Sequence, residues 1–308
     1  MTETDILAMV QGVIPVYALV IGLEMVMSYV HNRHYYTTKD TLTNVYLSSL
    51  NFLLDVAMKG LFGWLMFWLF SFGIPSISNP WLYWILLLIL EDFAFYWEHR
   101  FDHTIRLFWA VHVTHHSSDK FNLTTGFRSS VFQPLYRFIY FIPLPLLGFR
   151  PWDIMFMYAV TQIYGILIHT QYINKLGFLE WFMATPSHHR VHHASNTPYL
   201  DKNMGMVFII WDKLFGTFEP EDNSREEMRF GLTKPLNQPH HPVNIVAHEW
   251  KSIWQDLRRP LPLKTRLQYL FMPPGWSHDG SSQTSRELQE AYWKQHPTPK
   301  RAAEDTPR

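Results

Sequence analysis

The chain has 308 residues, 47% apolar and 17% aromatic, with 13 Trp and 23 Phe; this aromatic share fits a membrane protein with interfacial belts better than a soluble globule. Its 26 basic residues balance 26 acidic ones, so it lacks the basic surface that a nucleic-acid partner would require. With no cysteine in the chain, disulfides, thiolate zinc sites and iron–sulfur clusters are excluded, and any metal must sit on nitrogen and oxygen.

A helix needs about 20 apolar residues to cross a bilayer, and five stretches approach that length. The first runs from Ile6 to Val30. It follows an acidic N-terminus, and no small-residue cleavage site follows it, which argues against a cleaved signal peptide. The second begins near Asn44 and ends in the dense run Leu61–Phe70; the third is Trp81 to about Trp97. The fourth, Val131–Phe149, is interrupted by Arg137, Pro143 and Pro145. The fifth, Trp152–Ile168, is joined to the fourth only by Arg150-Pro151, so the two read as a helical hairpin. The expected fold is an all-α integral membrane protein with four or five transmembrane helices and a cytosolic helical cap carrying a His-rich di-metal site. N-terminal membrane helices occupy residues 1–80, a catalytic region 81–219, and a polar cytosolic region 220–308. The final stretch, His296 to Arg308, is polar and proline-rich, and disorder is expected there.

Loop charges set an orientation. Arg33 and Lys39 follow the first segment, Phe72–Pro80 has no charge, and Arg100, Arg106, Lys120 and Arg128 follow the third. Positive charge favours the cytoplasmic side, so the protein is multi-pass with its N-terminus outside. Arg150, at the outer hairpin tip, is the exception.

Ten of the seventeen histidines lie between His99 and His193. Nine of them form His99-x-x-x-His103, His112-x-x-His115-His116 and His189-x-x-His192-His193, with His169 at the end of the fifth segment. On a helix, residues three and four apart share a face, so each cluster can aim two or three imidazoles at one point. A single His pair is more often a surface or core feature than a ligand pair. Three such clusters in one chain form a stronger pattern, and nine imidazoles exceed what one ion can use. The predicted topology places all nine on the cytoplasmic membrane edge. His188 breaks its cluster's spacing and is a doubtful ligand.

Asp92 lies seven residues before His99, with Tyr96 between them on one helical stripe. An ionisable group inside a membrane segment is a functional candidate, and Asp92 is expected to orient a histidine through its other ring nitrogen. Asp92 and Tyr96 are therefore the candidate catalytic side chains; pairing of Asp92 with a polar group on a neighbouring helix is the plainer alternative. Asp201, Asn203, Trp211 and Asp212 follow the last cluster and form either a cap on the site or a structural turn. Asn122 and Arg128 could meet a head group or cofactor, or be structural. An all-nitrogen site suits iron, zinc or copper, and redox chemistry in lipid favours iron.

The stretches Glu91–Arg100, His115-His-Ser-Ser-Asp-Lys-Phe-Asn122, Ile168-His-Thr170, Thr185–His193, Asp201-Lys-Asn203 and Ile209–Phe218 resemble the fatty acid hydroxylase/sterol desaturase superfamily of membrane non-haem di-iron enzymes. Within it they are most similar to the ether-lipid-cleaving monooxygenase branch. The resemblance implies that His99, His103, His112, His115, His116, His169, His189, His192 and His193 bind two iron ions. It also implies tetrahydrobiopterin as reductant and hydroxylation beside an ether oxygen, giving a hemiacetal that collapses to an aldehyde and an alcohol. Expected partners are a lipid substrate, the membrane, dioxygen and a reductant, either a pterin or an electron-transfer protein. A sterol or fatty-acyl hydroxylase or desaturase is the alternative within the superfamily. From other classes, a His-ligated membrane electron carrier would want facing His pairs inside the bilayer, and a metal transporter would want ligands along a mid-membrane path.

Overall fold

The computed structural model describes residues 2–222, 224 and 226–297; most of the stretch expected to be disordered, residues 298–308, lies outside them. Every regular element among the described residues is helical, and strand pairing is limited to two isolated bridges.

Two long helices come first. α1 (Glu3–Val30) starts at a capping box in which Thr2 Oγ1 accepts from the Asp5 amide and the Asp5 carboxylate accepts from the Thr2 amide. α2 (Thr38–Phe70) starts at a Thr37 cap. Both are long and apolar enough to cross a membrane, by length and composition. Most of their apolar surface is not buried within the chain: Leu19, Leu53 and Trp64 are all more than 60% exposed, as expected for side chains facing lipid tails. The short loop after α1 lies beside Asn122, whose amide donates to the Tyr35 carbonyl. The loop after α2 lies at the other end of the bundle, where the Ile74 amide donates to the Leu146 carbonyl.

α3 (Pro80–Thr104) opens with Pro80 in its first turn and an Asn79 cap on the amides of Trp81 and Leu82. It runs well past the expected Trp97, so His99 and His103 continue the same helix. After one linking residue, Ile105, α4 (Arg106–His116) folds back against it. This tight corner is what brings the first two histidine clusters together.

The fourth apolar segment is not a continuous helix. It breaks into a 3-10 turn at Gln133–Leu135, α5 (Phe138–Phe141) and α6 (Pro143–Leu146). Pro134, Pro143 and Pro145 each remove a backbone donor, and Gly148 turns with a positive φ of 84° against the Ile74 carbonyl. The expected hairpin of two spanning helices is therefore a broken, folded-in segment followed by α7 (Pro151–Leu167). The core here packs Met66, Tyr83, Leu87, Phe141, Leu144 and Ile154.

α8 (Pro186–His193) carries the last cluster and α9 (Ile210–Phe215) follows it. The polar C-terminal region, which shows no apolar run, nevertheless forms α10 (Pro242–Leu257), α11 (Leu263–Phe271) and α12 (Ser285–Gln295). α10 and α11 pack on α4, where Arg106 donates to Glu249, Ser252 and Asp256 at 2.7–2.8 Å.

Candidate metal centre

The nine histidines chosen by spacing come together as two groups. His99, His103, His112, His116 and His192 form one; His115, His169, His189 and His193 form the other. Within each group, one nitrogen per ring lies within 4.8 Å of all the others. Helical spacing explains the partition. The i,i+4 pair His112/His116 enters the first group while His115, rotated round the helix, enters the second. α8 does the reverse, giving His189/His193 to the second group and His192 to the first. The groups meet where His116 and His193 rings stack, with centroids 4.5 Å apart.

Backbone carbonyls hold the rings from behind. Nδ1 of His99, His115, His169 and His192 lies 2.7–2.9 Å from the carbonyls of Met204, Arg128, Gly165 and Lys202. A carbonyl only accepts, so each Nδ1 carries the proton and each Nε2 turns a lone pair inward. His103 Nδ1 meets Asp201 Oδ1 at 3.1 Å. The inward Nε2 atoms crowd together: His99 to His112 at 3.1 Å, His112 to His116 at 3.2 Å, His169 to His189 at 2.8 Å and to His193 at 3.2 Å. With metal–nitrogen bonds of about 2.1 Å, neighbouring ligands of one ion sit roughly 3 Å apart. His103 Nε2 and His192 Nε2 are buried without any hydrogen-bond partner, as orphaned lone pairs should be in a cation site. The donor set and its spacing fit two metal ions.

Burial sets the protonation. It holds His112, His116, His189, His192 and His193 well below the ordinary imidazole value, and the neighbouring imidazoles add to the effect. His115 is brought down to about 4, again chiefly by burial. Neutral rings are the form that binds metal. Phe121 stacks on His169 and on Phe230 and closes one side.

The expected role of Asp92 is corrected by its contacts. It touches no histidine; its two oxygens accept from the amides of Val207 and Phe208 and from the Trp211 indole, at 2.8–3.0 Å. The partner is thus a neighbouring segment, as in the plainer alternative. Tyr96 also stands off the cluster: its hydroxyl meets Thr217 and Arg100, and its ring stacks on Phe215. Neither makes a hydrogen bond to a clustered histidine. Besides Asp201, the carboxylate that approaches a clustered ring is Asp102, fully buried, with Oδ2 3.6 Å from His112 Nδ1 and both oxygens held by Tyr136 and Gln133. It lies inside the His99–His103 motif, where its position beside a ligand was the available signal.

The segment after α8 works as a scaffold. Asp201 and Asn203 take left-handed backbone conformations. Asn203 clamps the His188 and Glu219 carbonyls, and Asp212 accepts from the Met204 and Gly205 amides. The turn thereby sets the Lys202 and Met204 carbonyls against His192 and His99. His188 points away: its Nδ1 caps α8 at Thr185 and its ring lies on Phe218. Arg128 is fully buried and ties α2 to α4 through Asp40, Asn44, Ser117 and the Thr114 carbonyl. Asn122 is likewise structural, binding the Tyr35 carbonyl.

Three cavities reach the centre or its approach. An apolar one of about 470 Å³ lies between α1, α2 and α7. A chamber of about 120 Å³ is lined by His99, His112, His115, His169 and His189. From the other side, a polar cavity of about 730 Å³ under the C-terminal helices reaches His103, His116, His192 and His193.

The fatty acid hydroxylase family model matches residues 84–217, which span all nine histidines. The chain is 34% identical to an alkylglycerol monooxygenase of Xenopus tropicalis over 258 residues, 82% of this chain and 56% of that protein. It is 41% identical to the alkylglycerol monooxygenase of Homo sapiens over 209 residues, 67% of this chain and 44% of that protein. An ornithine lipid hydroxylase of Rhizobium tropici is 32% identical over 191 residues, 62% of this chain and 54% of that protein. The chain therefore spans about half the length of these relatives. No solved structure matches it. In this chain, the polar turn 201–219 and the α3–α4 corner are the parts that aim the rings.

Proposed function

We propose that the chain is a multi-pass membrane monooxygenase that uses two iron ions and dioxygen to hydroxylate an unactivated C–H bond of a lipid. The observation that carries this reading is a pair of adjacent, buried, all-imidazole groups beside an apolar cavity between long apolar helices. His99, His103, His112, His116 and His192 would hold one ion, and His115, His169, His189 and His193 the other. Nitrogen sets of this kind suit several divalent metals; the hydroxylase and monooxygenase names of the relatives favour iron. Bound iron would supply the capacity to activate dioxygen. The reaction balances as one C–H, one O2, two electrons and two protons giving one C–OH and one water.

The protein's own contribution is orientation and dryness. Backbone carbonyls fix the rings, and Phe121 and Phe230 keep water from one side. The lipid would arrive sideways from the bilayer through the apolar cavity. A reductant, tetrahydrobiopterin or an electron-transfer protein, would deliver electrons from the polar cavity, which is roomy and meets four of the ligands on their opposite side. α1, α2 and further segments would cross the membrane, with the loop after α1 and the histidine site on the cytoplasmic side.

The names of the relatives point to an ether lipid, opened through a hemiacetal that falls apart to an aldehyde and an alcohol. The match to an ornithine lipid hydroxylase favours hydroxylation of another polar lipid as the second reading, with sterol or fatty-acyl oxidation in the same superfamily. An electron carrier with haem fits less well, since nine rings packed edge to edge leave no room for a porphyrin. A transporter fits less well because the ligands form two compact groups, not a path. Metal analysis tests the centre: the wild type should hold two irons per chain, and His192→Ala and His189→Ala should each lose one. Retention of both ions by either variant would contradict the assignment.

A further inference from the structure

The apolar cavity and the histidine chamber share six lining residues: Asn51, Gly126, Ser129, Arg137, Gln162 and Ile166. They form a neck between a lipid-sized space and the metal ligands. Ile166 and Gly126 supply its apolar wall, and a side chain at position 126 would meet Ile166 and His169. The polar neck groups differ in one respect. The Asn51 amide is satisfied, donating to the Ser130 carbonyl at 2.8 Å. Gln162 Nε2 and Arg137 Nε are buried donors with no partner. The rest of the Arg137 guanidinium is fixed, by the Tyr158 hydroxyl and by Gln133 Oε1. Gln162 and His169 both line the histidine chamber.

A buried donor left without an acceptor is costly, so such groups in a native structure mark a missing partner. Both groups here are donors. The Glu98 carboxylate attracts Arg137 electrostatically but makes no hydrogen bond to its Nε; an occupant of the neck that presents an acceptor would pair with these donors while its chain lies in apolar surroundings. We propose that Arg137 and Gln162 are positioning residues that hold an oxygen of the lipid in the neck and so set which carbon reaches the histidine chamber. This rests on the lipid-oxygenase reading and narrows it: the preferred substrate carries an ether, ester or hydroxyl oxygen close to the oxidised carbon. A plain hydrocarbon segment would leave both donors unpaired and be disfavoured.

The test uses the full-length, iron-loaded protein in lipid nanodiscs and two probes, 1-O-hexadecylglycerol and its carbon isostere icosane-1,2-diol. Anaerobic equilibrium binding is measured first, then oxygen-dependent consumption of each probe. The wild type is expected to bind the ether about tenfold more tightly than the isostere. Gln162→Leu and Arg137→Met should each reduce that ratio to below about threefold by weakening ether binding alone, with iron content unchanged. Equal binding of the two probes by the wild type overturns the proposal, and this arm stands even if a variant fails to fold. An unchanged ratio in both folded variants also overturns it. If the wild type oxidises both probes at equal rates, the neck proposal fails and the lipid-oxygenase reading survives. If it oxidises no lipid while fully loaded with iron, the underlying reading fails.

Discussion

An imidazole whose Nδ1 faces a backbone carbonyl has no choice of tautomer. Four of the nine clustered rings are set in this way, by Arg128, Gly165, Lys202 and Met204, and their lone pairs converge because nothing else is open to them. Burial then keeps the rings neutral. The sign of the pH dependence follows. The unfolded chain binds protons near pH 6.5, whereas the folded His115 does so only at about 4. Below about 6.5 the unfolded state takes up protons that the folded state refuses. In the metal-free protein His115 should thus contribute stability that is fully present above pH 6.5 and is lost steadily down to about pH 4. A chemical-denaturation series across that range checks it, and a flat profile would contradict buried, neutral rings. At Asp92 the account predicts a structural effect. Asp92→Ala strands three donors, each worth roughly 1 kcal/mol or more when unsatisfied. It should lower stability by about 3 kcal/mol or more in thermal unfolding, while the variant that folds keeps its iron.

The elements show what pattern reading can and cannot recover. The i,i+4 spacings in α3, α4 and α8 announce the two histidine groups, because the helical period is local. The break-up of residues 131–149 is only half announced: the prolines are visible, but where the chain folds back depends on Ile74 and Tyr83 contacts far off in sequence. The contacts of Asp92 are hidden for the same reason. Its distance along the helix from His99 is legible, and the turn at 207–211 that takes its oxygens is not. The C-terminal helices are the largest gap. Their signals are weak and amphipathic, such as the Thr284-x-x-Glu287 capping box of α12, and charge hides them in a mean-hydropathy view. Arg106 joins this lobe to α4 through two carboxylates. Removing one side of such a buried charge cluster strands the other. Arg106→Ala should cost about 3 kcal/mol and speed proteolysis within residues 242–295; unchanged cleavage would mean that the lobe is held otherwise.

At the scale of the whole molecule, the apolar and polar cavities approach one centre from two sides. α1, α2 and α7 bound the apolar route, and α4, α10 and α11 bound the polar one. The separation suits a reaction that joins a lipid to a water-soluble source of electrons and must keep each from the other's path. The clustered histidines come from four separate segments of the chain, and only the folded chain, with its α3–α4 corner and the 201–219 turn, closes the centre between the two routes. The most direct measurement is oxygen uptake by the purified chain in nanodiscs, carrying two irons and supplied with tetrahydropterin and 1-O-hexadecylglycerol. The account predicts uptake that requires both lipid and reductant, with one lipid oxidised per oxygen consumed. Full iron occupancy with no oxygen uptake across ether, acyl, sterol and aminolipid substrates, with either a pterin or a protein electron donor, would contradict it.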